Sequence, residues 1–145
     1  MASRRFFNPS QPQTLQIATF LLYISGFFTL IDAIRIEVPA FRDSTPYTVT
    51  QALLFVSVLL YAYGGYGIAN ERKWGYASAI VAAASPFLIN FYLLQATGAG
   101  LGRSVIDAVL PTSDVNNVIS WIFNVALLVL VLHTQSREYE KIWFK

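Results

Sequence analysis

Two asparagines sit deep inside apolar runs, Asn90 in "SPFLINFYLLQ" and Asn124 in "WIFNVALL". A side-chain amide carries two donors and an acceptor. In an apolar interior those atoms need partners. They can bind a polar ligand, or they can join two helices, each such bond adding about 0.6 to 2 kcal/mol. Ser85 and Gln95 lie in the same run as Asn90. Asn90, Asn124, Gln95 and Ser85 are therefore the candidate polar cavity, and joining helices is the role favoured for them. Pro86 removes a backbone hydrogen bond and is expected to kink its helix. Ser85 offers a hydroxyl to the carbonyl so freed.

Titratable chemistry is sparse. Asp32 and Arg35 are three residues apart near the end of the first apolar run, the spacing of an ion pair on one helix face. An interfacial ion pair is favoured over a proton or cation site. His133 ends the fourth run, where an imidazole meets the negative end of a helix dipole. As the single histidine it cannot build a bis-His haem site or a histidine cluster. The chain has no cysteine, which excludes disulfides, thiolate catalysis and Cys-ligated metals. No catalytic residue, cofactor or metal is assigned. The net charge of +2 is divided among short groups rather than along a basic face, which speaks against nucleic acid.

The elements that position these residues follow from hydropathy. The chain is 55% hydrophobic and 12% charged over 145 residues, half the charge of an average soluble protein, which is roughly a quarter charged. Four runs approach the length needed to cross a bilayer, about 20 mostly apolar residues. They cover about 15–34, 50–69, 74–95 and 115–133. Backbone polar groups in hydrocarbon must be paired locally, so the runs are helices. The expected architecture is an all-α, four-helix transmembrane bundle forming one domain over 1–145, with a tail at 134–145.

Orientation follows from charge. Arg4, Arg5, Arg72, Lys73, Arg137, Lys141 and Lys145 fall on one side, and Arg35, Arg42 and Arg103 on the other with Glu37, Asp43, Asp107 and Asp114. The positive-inside tendency puts both termini and the tight turn at "ANERKWG" in the cytoplasm, in a plasma (inner) membrane. Arg4 and Arg5 also resemble the opening of a twin-arginine export signal. They are read instead as topology determinants, because the following run is long enough to span and three more follow.

Loops and ends carry further signals. Pro46 after Ser44-Thr45 suits a first helical turn. Val105, Ile106, Val109 and Leu110 recur at helical spacing opposite Arg103 and Asp107, which predicts a short amphipathic surface helix in the second outer loop. Gly64, Gly65, Gly67 and Ala69 in the second run, with Gly65 and Ala69 as a small-xxx-small pair, and Gly75, Ala79, Ala82, Ala83 and Ser85 in the third are small-residue packing faces expected to meet. Phe6, Phe7, Trp143 and Phe144 are candidate contacts to a partner or to the membrane surface, and the tail is expected to prolong the fourth helix into the cytoplasm.

The function expected from these features is non-catalytic: an accessory or structural subunit of a membrane complex, or a homo-oligomer. Its partners are the lipid bilayer and other membrane subunits or its own copies. The alternative is a small transporter, or a binder of lipid or hydrophobic ligand, using the polar cavity beside the third helix. An enzyme comes third, requiring Asp32, Asp107, Asp114 and Arg103 to converge at the outer face.

Overall fold

The computed structural model describes residues 5–35, 45–96, 98, 106, 109, 110 and 115–145. These residues form five helices and no strand: α1 (Gln13–Arg35), α2 (Thr45–Ala69), α3 (Lys73–Ala96), α4 (Val115–Leu132) and α5 (Thr134–Trp143). Helices α1, α2 and α3 are each long and apolar enough to cross a membrane. α4 meets the same criterion together with α5, from which it is bent by 48°. α2 starts at Thr45, ahead of the expected residue 50. Pro46 sits in its first turn, where a missing amide costs nothing, and Thr50 Oγ1 donates back to Pro46 O (2.8 Å).

Contacts run from α1 to α2, α2 to α3, α3 to α4 and α4 back to α1. Phe20, Phe27, Leu59, Leu88, Ile122 and Val129 are exposed, so every long helix presents large apolar side chains outward. The buried residues gather toward one end. Leu15, Ala18 and Leu22 of α1, Tyr61 and Ile68 of α2, Ala79, Ala82 and Ala83 of α3, and Leu127 and Val131 of α4 form the core.

Glycine sets that tight end. A Cβ on Gly67 would collide with the backbone of Gly75, and one on Gly75 with Gly67. A Cβ on Gly64 would lie 2.9 Å from Ala79 Cα. α2 and α3 thus touch backbone to backbone, as small residues permit in a membrane-type helix pair. The expected meeting of the two small-residue faces occurs through Gly64 against Ala79 and Gly67 against Gly75. Gly65 faces α1 instead, against the Tyr23 ring (2.8 Å from a built Cβ). Ala69 and Ala83 are buried.

α4 does not run straight on into the tail. The chain turns at His133 (φ −58°, ψ 144°), whose side chain accepts from Gln135 N and so caps α5. Two carbonyls at the end of α4 accept from side-chain donors, Leu130 O in addition to a long bond from His133 N (3.4 Å). Tyr76 OH donates to Val131 O (2.6 Å), and Ser136 Oγ donates to Leu130 O (2.7 Å). These side-chain bonds pair part of the backbone that the break exposes.

Candidate functional site

On the far side of this core the four long helices enclose an open cavity of about 520 Å³. Each helix contributes one face. α1 supplies Ser25, Phe28, Thr29 and Asp32, α2 Leu54 and Ser57, α3 Ser85, Pro86 and Asn90, and α4 Ser120, Phe123 and Asn124. The spacings of three and four residues within α1, α3 and α4 mark single helix faces.

The structure therefore brings together Asn90, Asn124 and Ser85. Gln95 does not line the cavity; it is exposed at the end of α3. Neither Asn90 nor Asn124 has a side-chain hydrogen bond to another described residue, and the two are not joined to each other. Asn90 is exposed and Asn124 half-buried. Ser85 has a local duty as well. Its Oγ donates to Ala82 O (2.8 Å), the carbonyl that Pro86 leaves without its helical amide. Ser57 similarly bonds Leu53 O (2.9 Å). Ser25 and Thr29 make no such bond among the described residues.

Asp32 joins the cavity, which the reading of the sequence missed. Arg35 does not line it, and no ion pair joins the two among the described residues. Asp32 lines the cavity, and both it and Arg35, at the helix end, are exposed. The signal was available: Ser25, Thr29 and Asp32 fall four and three residues apart, on one face. Below these residues the Tyr61 hydroxyl is buried beside Thr29 and Ser85 without a well-formed hydrogen bond.

A second polar assembly closes the opposite end. α2 finishes with Glu71 in the left-handed region (φ 57°). Arg72 N donates to Gly67 O (2.9 Å) and Glu71 N to Ile68 O (3.0 Å), the paired bonds of a Schellman end. Segments distant in sequence hold this turn. The Glu71 carboxylate accepts from Asn8 Nδ2 (3.2 Å) and from Tyr139 OH (2.9 Å). Asn70 exchanges hydrogen bonds with the backbone of Arg5 (3.0 and 2.7 Å). Lys145 N donates to Glu71 O (2.9 Å), and Lys145 O accepts from Lys73 N (3.1 Å), an amide of the first turn of α3. Burial, and next the hydrogen bond and negative charge of Glu71, push the Tyr139 hydroxyl up to about 12.

This clasp sorts the terminal aromatics. Phe144 is only 4% exposed and packs edge-on against Tyr76 and Tyr139. Phe6, Phe7 and Trp143 are exposed, although Phe6 also leans on Tyr66, and Trp143 stacks on Tyr139. Of the outer-loop residues in the expected surface helix, Ile106, Val109 and Leu110 are described. Leu110 N donates to Ile106 O (2.8 Å), and all three are exposed. Trp121 Nε1 donates to Val109 O (2.5 Å). Val105, Arg103, Asp107 and Asp114 lie outside the described residues, as do Arg4, Glu37, Arg42 and Asp43.

Compared with protein-family models, curated proteins and solved structures, the chain matches none.

Proposed function

We propose that the chain is a multi-pass protein of the plasma (inner) membrane that holds a small amphiphilic molecule between its helices. In this reading α1 to α4 cross the bilayer as a four-helix bundle and α5 lies at the cytoplasmic surface. Both termini and the Glu71 turn face the cytoplasm. The role is non-catalytic.

One observation carries the reading. Asn90 and Asn124 line an open cavity on facing helices and are not bonded to each other. Polar groups at membrane depth without partners are costly, so an occupant that satisfies them is favoured. The walls beside them are apolar, among them Phe28, Leu54 and Phe123. Polar atoms above apolar walls suit a molecule with a polar head and an apolar body.

The test is native mass spectrometry of the full chain extracted in a mild maltoside detergent. A discrete bound mass is expected on the wild type. It should be lost from a double variant, Asn90→Leu with Asn124→Leu, that keeps its helical circular dichroism. An adduct that survives both substitutions would overturn the reading.

A second reading is an accessory or structural subunit, or a homo-oligomer. Phe6, Phe7, Ile142 and Trp143 favour it, as exposed apolar side chains on the segments that form the clasp. A stoichiometric membrane partner recovered with the chain, and lost on Trp143→Ser, would move the assignment to this reading.

A further inference from the structure

We infer that the cavity is selective for a cation, an organic ammonium or phosphonium with an apolar body, and that Asp32 is its counter-charge. This rests on the reading of the cavity as a ligand site and names the class of molecule that enters it.

Three features of the wall decide the sign of charge. Asp32 is the one titratable side chain that lines the cavity among the described residues. Among the described residues no lysine, arginine or histidine lines it, and none pairs with Asp32. A carboxylate at the edge of a low-dielectric space gains most from a mobile counter-charge when, as among the described residues here, no side chain beside it supplies one. The remaining polar lining is uncharged: the amides of Asn90 and Asn124 and the hydroxyls of Thr29 and of four serines, of which Ser57 and Ser85 are bonded to their own helices. These side chains offer oxygen acceptors to a cation and bring no positive charge for an anion.

The apolar part of the wall points the same way. Phe28 and Phe123 line the cavity from α1 and α4 and are 59% and 45% exposed, so neither ring is used up in the core. Aromatic faces attract organic cations through their quadrupoles, and more strongly where water is thin. A metal ion fits poorly. Calcium wants about six to eight oxygen ligands, usually several carboxylates, and no group of three His, Asp or Glu side chains occurs among the described residues. The volume of about 520 Å³ lies within the range of drug-sized sites, roughly 300 to 1,000 Å³.

The experiment uses the full chain in an uncharged maltoside detergent and two probes of matched shape and opposite charge, tetraphenylphosphonium and tetraphenylborate. Equilibrium dialysis measures the saturable binding of each. A cavity-filled control, Ser120→Trp, subtracts uptake by the micelle; Ser120 is exposed, so the larger ring is accommodated at the wall. Phosphonium is expected to bind saturably and at least about tenfold more tightly than borate, the size of effect that one close charge pair supplies. Asp32→Asn should weaken phosphonium by about the same factor, and Arg35→Gln should change it less than about twofold. Equal binding of the two probes, or phosphonium binding indifferent to Asp32→Asn, overturns the cationic assignment. If that binding is still blocked by Ser120→Trp, the ligand cavity stands without its charge preference. Absence of saturable binding by either probe overturns the cationic assignment together with the cavity reading.

Discussion

Glu71 combines two opposing contributions. A non-glycine residue in the left-handed region is strained, by about 1 kcal/mol or more, and yet its carboxylate accepts from Asn8 and Tyr139. Glu71→Ala keeps the strain and loses the bonds, and is expected to cost about 2 kcal/mol in reversible unfolding. Glu71→Gly loses the same bonds but relieves the backbone, so its cost should be smaller by about 1 kcal/mol. The ordering of the two variants is the test, and equal losses would show that the turn stores no strain. Tyr139 gives the matching pH dependence. Its hydroxyl is held protonated up to about 12 in the folded chain, above the ordinary value of 10.0. The folded state therefore binds the proton more tightly, and this contribution is complete below pH 10. It is lost as pH rises from 10 toward 12. Tyr139→Phe should flatten that part of the stability profile, measured as Tm against pH for both proteins.

At the scale of helices, the Gly67–Gly75 crossing sets the distance between α2 and α3. Alanine at either position must push two backbones apart, because the colliding atoms are main-chain and cannot rotate away. Gly67→Ala or Gly75→Ala should each destabilise the chain by about 2 to 3 kcal/mol, read from denaturation in mixed micelles. Gly65→Ala meets only the Tyr23 ring and should cost less. This difference was not legible in the sequence. "YAYGGYGIA" is apolar or small on all sides, so the pattern places a helix there without fixing its rotation. The long helices were legible because hydropathy alone requires them, and Ser85 was legible because Pro86 frees a carbonyl at a known distance along the chain. The break at His133 was not. Neither proline nor glycine marks it, and it depends on Tyr76 and Ser136 reaching the ends of α4 from elsewhere. The place of Asp32 on the cavity wall was less legible, because the i, i+3 spacing to Arg35 lies along the helix and the cavity lies across it.

The molecule as a whole is packed unequally. One end has glycine contacts and a hydrogen-bonded clasp. The other has helices lined with serine, threonine and asparagine around a cavity. The clasp end also displays Arg5, Arg72, Lys73, Arg137, Lys141 and Lys145, all exposed. With no native cysteine, single cysteines can report sidedness without background. Cysteines introduced at Arg72 and at Lys141 should both be shielded from an impermeant maleimide in intact cells and be labelled after lysis. Labelling of either in intact cells would reverse the proposed orientation. Unequal packing should also appear as a gradient in amide exchange, fastest in the helix halves that line the cavity, because few buried contacts oppose local opening there.

The clasp also has a consequence for the timing of synthesis. The Glu71 turn receives bonds from residues 5–8 on one side of the sequence and from residues 139–145 on the other. Asn8 has already been made when Glu71 emerges. At a synthesis rate of about 5 to 20 residues per second, Lys145 follows by roughly 4 to 15 seconds. During that interval the turn between α2 and α3 has its bonds from one side alone, and the left-handed Glu71 lacks Tyr139. The nascent chain is thus built as a provisional hairpin that is fastened only when α5 arrives.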